Sequence, residues 1–98
     1  MKDLKEFYSK YNLNHEYCSM LFSVGSKSLI KYSNGEKLRE DTVKRIETGI
    51  NVIEKYNLVR PHCPVGFVDV FERNEWYRAN RKYMRETKEM IERERASL

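Results

Sequence analysis

The stretch Leu13-Asn14-His15-Glu16-Tyr17-Cys18-Ser19-Met20-Leu21-Phe22-Ser23-Val24-Gly25-Ser26-Lys27-Ser28-Leu29-Ile30-Lys31-Tyr32-Ser33-Asn34-Gly35 decides how the chain is read. Asn14 offers an N-cap side chain ahead of a short helix from His15 to Phe22, whose apolar face is Cys18, Leu21 and Phe22. Ser23, Val24 and Gly25 then read as a turn, with Gly25 the residue best able to take a positive φ. Ser26 to Ser33 forms a further helix with Leu29 and Tyr32 inward, and Asn34-Gly35 ends it.

Working outward, Leu4, Phe7, Tyr8 and Tyr11 recur at offsets of three and four and predict a first helix over residues 3–11, broken at Asn12. Beyond Gly35, Asp41 or Thr42 can cap a fourth helix in which Val43, Ile46, Ile50 and Ile53 share a face, ending near Asn57. Gly49 costs that helix about 1 kcal/mol relative to alanine, which predicts a close helix contact there or a tolerated defect. Pro61, Pro64 and Gly66 forbid a regular helix over residues 60–68, an extended connector with room for a few strand residues and with Val65, Phe67 and Val68 as apolar anchors. From Asp69 to about Arg95 there is neither proline nor glycine, and Trp76, Tyr83 and Met90 recur every seven residues with Met84 and Ile91 beside them. This is a long amphipathic helix with i, i+4 charge pairs such as Lys82 with Glu86 on its outer faces. The expectation is an all-α fold: a four-helix core over residues 1–58, then a connector and C-terminal helix over residues 59–98, folding as one compact domain.

The order helix, short helix, turn, helix suggests a helix-turn-helix. Residues 13–35 resemble, without a gap, the Cro/repressor (Xre-type) family of phage and bacterial regulators, whose pattern runs roughly L-S-Q-E-E-L-A-x-L-L-G-V-S-x-x-T-I-S-R-x-E-N-G. Leu13, Glu16, Leu21, Val24, Asn34 and Gly35 are identical to it, and Ser19, Phe22, Ser28, Leu29 and Lys31 match in kind. The resemblance extends over residues 2–56. It departs at Ser23, where the family has its turn glycine, at Gly25, where it has a cap serine, and at Ser33, where it has a glutamate.

The resemblance implies a small sequence-specific double-stranded DNA-binding protein acting in transcription regulation, a repressor of phage or mobile-element type, with residues 26–33 as the recognition helix in the major groove. Ser26, Lys27, Ser28 and Lys31 would face base edges, where lysine donates to guanine O6 and N7 and serine reads several edges. By the same resemblance Asn14, His15 and Asn34 would hold phosphates, helix amino termini favouring anions. Ile30 falls where a polar residue is common and suits a thymine methyl, internal packing or a partner. The stripe Trp76, Tyr83 and Met90 serves either packing on the preceding helices or a homodimer seam, and a dimer would place two readers about one DNA turn apart. The alternative is a protein-binding module that keeps the helix-turn-helix shape, such as a phage-encoded inhibitor of host machinery of the anti-CRISPR kind, using Ile30, Tyr32 and the last helix on a protein partner.

Charge fits both readings. The net charge of +4 permits a polyanionic partner without requiring one. Its distribution says more: between Glu16 and Glu36 no acid occurs, and Lys27 and Lys31 are the only charges. Arg78, Arg81, Lys82 and Arg85 form a basic strip on the last helix, either adding phosphate contacts or making a solvated face balanced by Glu86 and Glu89. The charged amino terminus and the lack of an apolar run of roughly 20 residues point to a cytoplasmic protein with no membrane partner. His15, Cys18, His62 and Cys63 lack zinc-site spacing, Cys18 falls at a core position, and the two cysteines show no paired spacing, so neither metal nor cofactor is expected. No glycine-rich phosphate loop or nucleophile-histidine motif suggests an enzyme.

Overall fold

A computed structural model of the chain describes residues 3–64, 66 and 69–97, and these form five helices with no strand among them. They are α1 (Leu4–Tyr11), α2 (His15–Phe22), α3 (Ser26–Ser33), α4 (Glu40–Tyr56) and α5 (Val70–Ala96). The anchors expected at Val65, Phe67 and Val68 lie outside the described residues.

Side-chain caps and left-handed residues set several of the helix limits. Asp3, Asn14 and Asp69 each accept a backbone N–H of the first turn, from Lys5, Tyr17 and Glu72. Asn12 and Asn57 close α1 and α4 with φ of 56° and 50°, a conformation asparagine tolerates better than most residues. The cap expected at Asp41 or Thr42 is not used. α4 begins at Glu40 with Arg39 at the cap position and no side-chain cap bond, and Glu40 and Asp41 instead place negative charge in the first turn, where the helix dipole favours it.

The core is one cluster. Leu4, Phe7 and Tyr11 from α1, Cys18, Leu21 and Phe22 from α2, Leu29 and Tyr32 from α3, and Ile46, Ile50, Val52 and Ile53 from α4 bury together. α2 packs against α3 and α5, and α4 packs against all three. Gly49 meets the Phe22 ring so closely that a Cβ there would lie 2.8 Å from Cγ and overlap Cδ1 and Cε1. The glycine is thus the close contact, and the helix propensity it gives up is offset by a fully buried phenylalanine.

α5 is 27 residues long, about 40 Å at 1.5 Å per residue, in a molecule whose longest dimension is 46 Å. Its innermost side chains are Thr87 and Ile91, with Tyr83, Met84 and Met90 half-buried around them. The line of contact is therefore that of a straight 3.6-residue helix through Trp76, Asn80, Tyr83, Thr87 and Ile91 rather than a seven-residue seam. Two of those five positions are polar, which hides the face from a hydrophobicity pattern. Trp76 Nε1 donates to the Pro61 carbonyl at 3.3 Å and Tyr83 Oη to the Leu58 carbonyl at 2.8 Å, so both rings pack within the chain. Among the described residues the outer i, i+4 pairs of α5 do not close into ion pairs.

What seats α5 is Arg60, only 7% exposed. Its Nε donates to the Asn12 carbonyl at 2.8 Å and Nη1 to Asn80 Oδ1 at 2.9 Å, while the guanidinium lies 4.0 Å from the Tyr17 ring centre and 5.8 Å from that of Trp76. Asn12 reciprocates, its amide donating to the carbonyls of Arg60 and Pro61. No carboxylate pairs with Arg60 among the described residues. Carbonyl oxygens and aromatic faces replace its water.

Two stability measurements follow. Gly49→Ala should lower stability by about 1–3 kcal/mol despite alanine's better helix propensity, and Phe22→Leu in the same chain should recover part of the loss in urea titrations; a stabilised single variant would refute the contact. Arg60→Ala should cost about 3 kcal/mol or more, because the Asn12 carbonyl and Asn80 lose donors in a buried place, and Arg60→Lys should recover only part; a loss below about 1 kcal/mol would show that α5 is seated without it.

Candidate nucleic-acid interface

α2 and α3 are eight residues each and are joined by Ser23, Val24 and Gly25. The positive φ falls on Ser23, at 55°, whereas Gly25, expected to take it, has φ −74° and caps α3 in extended conformation. The reason is positional. The left-handed residue must directly follow Phe22 so that its N–H can reach the Ser19 carbonyl, and Gly25 lies two residues too late. Two side chains hold the turn: Ser19 Oγ donates to the Val24 carbonyl, and Arg45 Nη1 from α4 donates to the Ser23 carbonyl at 3.0 Å. Nothing in the sequence pattern singled out Arg45.

With Leu29 and Tyr32 buried, α3 turns Ser26, Lys27, Ile30, Lys31 and Asn34 outward, and all five are exposed. At 100° per residue they span an arc of roughly 140°, with Ser26 and Ile30 toward one edge and Lys27 and Lys31 toward the other. Ser28 is half-buried at the edge of that arc. Ile30 is 43% exposed, and Met20 on α2 is 48% exposed. Gly25 has no side chain to cap α3, and within the first turn the Ser28 N–H bonds the Gly25 carbonyl at 3.1 Å.

At the start of α2, Asn14 Oδ1 accepts from the Tyr17 N–H at 2.8 Å, leaving its amide nitrogen facing outward chemistry. His15 Nδ1 lies 2.8 Å from Tyr8 Oη, with the two rings edge to face at 5.0 Å. Burial pushes the Tyr8 phenol well above its ordinary pKa. Burial likewise raises the Cys18 thiol, making it an unreactive core residue, while Cys63 is exposed. Among the described residues no three His, Cys, Asp or Glu side chains converge as metal ligands, and no helix is long and apolar enough to cross a membrane.

The structure thus brings Ser26, Lys27, Lys31 and Asn34 onto one face, with Asn14 and His15 at the amino end of the neighbouring helix. Trp76, Tyr83 and Met90 lie elsewhere, on the packed side of α5. Comparison with protein-family models, with curated proteins and with solved structures finds no match for the chain.

The turn makes its own prediction. Ser23→Gly relieves a left-handed non-glycine residue, and Gly25→Ser adds a cap where φ is already extended and nothing lies within 4 Å of a new Cβ. The double variant should gain about 1 kcal/mol and melt several degrees higher; a lower melting temperature would contradict the turn geometry described.

Proposed function

We propose that the chain is a sequence-specific double-stranded DNA-binding protein, a small transcriptional regulator of Cro/repressor-like helix-turn-helix type, with α2 and α3 as the motif and Ser26–Ser33 entering the major groove. The observation that carries the reading is the outward face of α3: exposed, free of acids, with Lys27 and Lys31 together beside Ile30. A helix of this width fits the major groove, where lysines reach guanine O6 and N7 or flanking phosphates and Ile30 meets a thymine methyl. Asn14, His15 and Asn34 stand where they can hold phosphates beside the groove. The ungapped resemblance of residues 13–35 to phage and bacterial regulators supports the same reading.

A second reading rests on Ile30 and Met20, large apolar side chains exposed on adjacent helices, which would suit a protein partner of the kind bound by phage-encoded inhibitors of host machinery.

Selection from a random duplex library separates the two. The DNA reading expects an enriched motif, lost in Lys27→Ala/Lys31→Ala, whose log affinity should also fall less steeply with log salt, by about 0.9 for each phosphate contact removed. Ile30→Ala should relax the preference at one thymine and leave the salt slope unchanged. No enrichment by the wild type would move the function to the protein-binding reading.

A further inference from the structure

The amino half of α5 stands clear of the core. Residues 69–75 are all exposed and none belongs to the core cluster, and Val70, Phe71 and Tyr77 are large apolar side chains left 64%, 75% and 49% exposed. The helix packs through Trp76, Asn80, Tyr83, Thr87 and Ile91. At 100° per residue, Val70, Asn74, Tyr77, Arg78, Arg81 and Arg85 share an arc centred about 140° from that line, with Phe71 at its edge. From Val70 to Arg85 this arc carries no acid, because Glu72 and Glu75 fall outside it. No carboxylate pairs with its arginines among the described residues.

Asn74, Tyr77, Arg78 and Arg81 line an open depression of about 390 Å³ on this arc. Their spacing, i, i+3, i+4 and i+7, is that of the four-residue hole into which a side chain of a facing helix inserts. One wall is braced: the Tyr77 ring meets Trp76 edge to face at 5.0 Å, and Trp76 is tied to the Pro61 carbonyl. The rim is cationic, with Arg78 and Arg81 bounding the hole and Arg85 one turn beyond. Arginine and tyrosine are residues that protein interfaces favour, and lysine, which they disfavour, is absent from the arc between Val70 and Arg85.

We infer that the outward face of α5 from Val70 to Arg85 is a docking surface for an acidic amphipathic helix of a partner protein. An apolar side chain of that helix enters the hole beside Tyr77, a second covers Val70 and Phe71, and flanking carboxylates meet Arg78, Arg81 and Arg85. Guanidinium suits the role, since its planar fork donates two parallel hydrogen bonds to one carboxylate. The face is about 24 Å long at 1.5 Å per residue, so it seats a partner helix of about four turns. A second copy of the chain is the poorer occupant. The acids of its α5, Glu86, Glu89, Glu92 and Glu94, are interleaved with Lys88, Arg93 and Arg95, and no large apolar side chain is exposed among the described residues of that half. The surface stands on a different helix from α3 and is independent of what α3 binds.

The probe is a helical peptide of three heptads with leucine at a and d and glutamate at e and g, whose glutamates keep it from pairing with itself; a matched peptide has lysine at e and g. Binding of each labelled peptide to the full chain is read by fluorescence anisotropy. The wild type should bind the glutamate peptide and not the lysine peptide. Arg78→Glu/Arg81→Glu/Arg85→Glu should weaken the glutamate peptide by about tenfold or more and bind the lysine peptide instead, an exchange that unfolding cannot produce. Tyr77→Ala, with the arginines intact, should weaken the glutamate peptide about fivefold. A control with equal charge change, Lys5→Glu/Lys37→Glu/Lys55→Glu, alters exposed positions only and should keep the wild-type affinity. No binding of the glutamate peptide by the wild type, or equal affinity in wild type and arginine variant, would overturn the docking surface. A loss of the same size in the control would overturn it as well, reducing the effect to net charge. Tighter binding of a single-stranded thymidine oligonucleotide, lost in the arginine variant, would give the face to nucleic acid instead. Self-association of the wild type in sedimentation, abolished in the same variant, would give it to a second copy.

Discussion

A buried guanidinium organises this molecule. Arg60 is 48 residues from Asn12 and 20 from Asn80, and it bonds to both while lying on the Tyr17 ring. Three chain segments that share no local periodicity, the exit of α1, the exit of α4 and the middle of α5, are therefore held by one side chain. A buried cation without a carboxylate is costly unless its donors are met. Here a carbonyl, an amide oxygen and two aromatic faces meet them, and the geometry they demand fixes where the irregular connector must run. The reciprocal bonds from the Asn12 amide to the Arg60 and Pro61 carbonyls close the clasp. Without it, α5 would rest on Ile91, Thr87 and their half-buried neighbours and on the bonds from Trp76 and Tyr83 to the Pro61 and Leu58 carbonyls.

The outward face of α3 depends on the same economy of contacts. An eight-residue helix is too short to be stable alone and takes its order from Leu29 and Tyr32 beneath it, from the Ser19–Val24 bond and from Arg45 on the Ser23 carbonyl. Phe22 at the end of α2 is accommodated only because α4 has glycine at position 49. The face left outward is thus rigidly backed while its own residues make no core contacts, the arrangement that a surface reading another molecule requires. Net charge says little about such a surface. Acids are absent between Glu16 and Glu36 and again between Glu75 and Glu86, so the cations of those two stretches stand apart in the chain from the acids elsewhere.

Much of the fold was legible in the sequence because the signals are local. Offsets of three and four marked the inward faces of α1 and α4, Asn14 and Asp69 act as caps within three residues of the amides they bond, and Asn34-Gly35 and Asn57 mark where helices stop. The outward residues of α3 followed from the same periodicity once Leu29 and Tyr32 were assigned inward. The site was harder where side chains act across the chain. Arg45 carries no local signal, and Asn12 reads in sequence as a simple helix breaker. The face of α5 was blurred because Asn80 and Thr87 lie among its inward positions, so an apolar count favoured the seven-residue recurrence of Trp76, Tyr83 and Met90.

The sequence by itself determined the helices, their order and the acid-free exposed face of α3, since backbone propensity, capping and 3.6-residue periodicity act between neighbours in the chain. The tertiary structure alone decided that Ser23 rather than Gly25 takes the left-handed turn, that Gly49 makes room for Phe22, and that Arg60 ties the exit of α1 to the middle of α5. These are outcomes of packing and of hydrogen bonds between residues tens of positions apart. Partners that far apart, such as Asn12 and Arg60, leave no spacing pattern for a reader of one sequence to find.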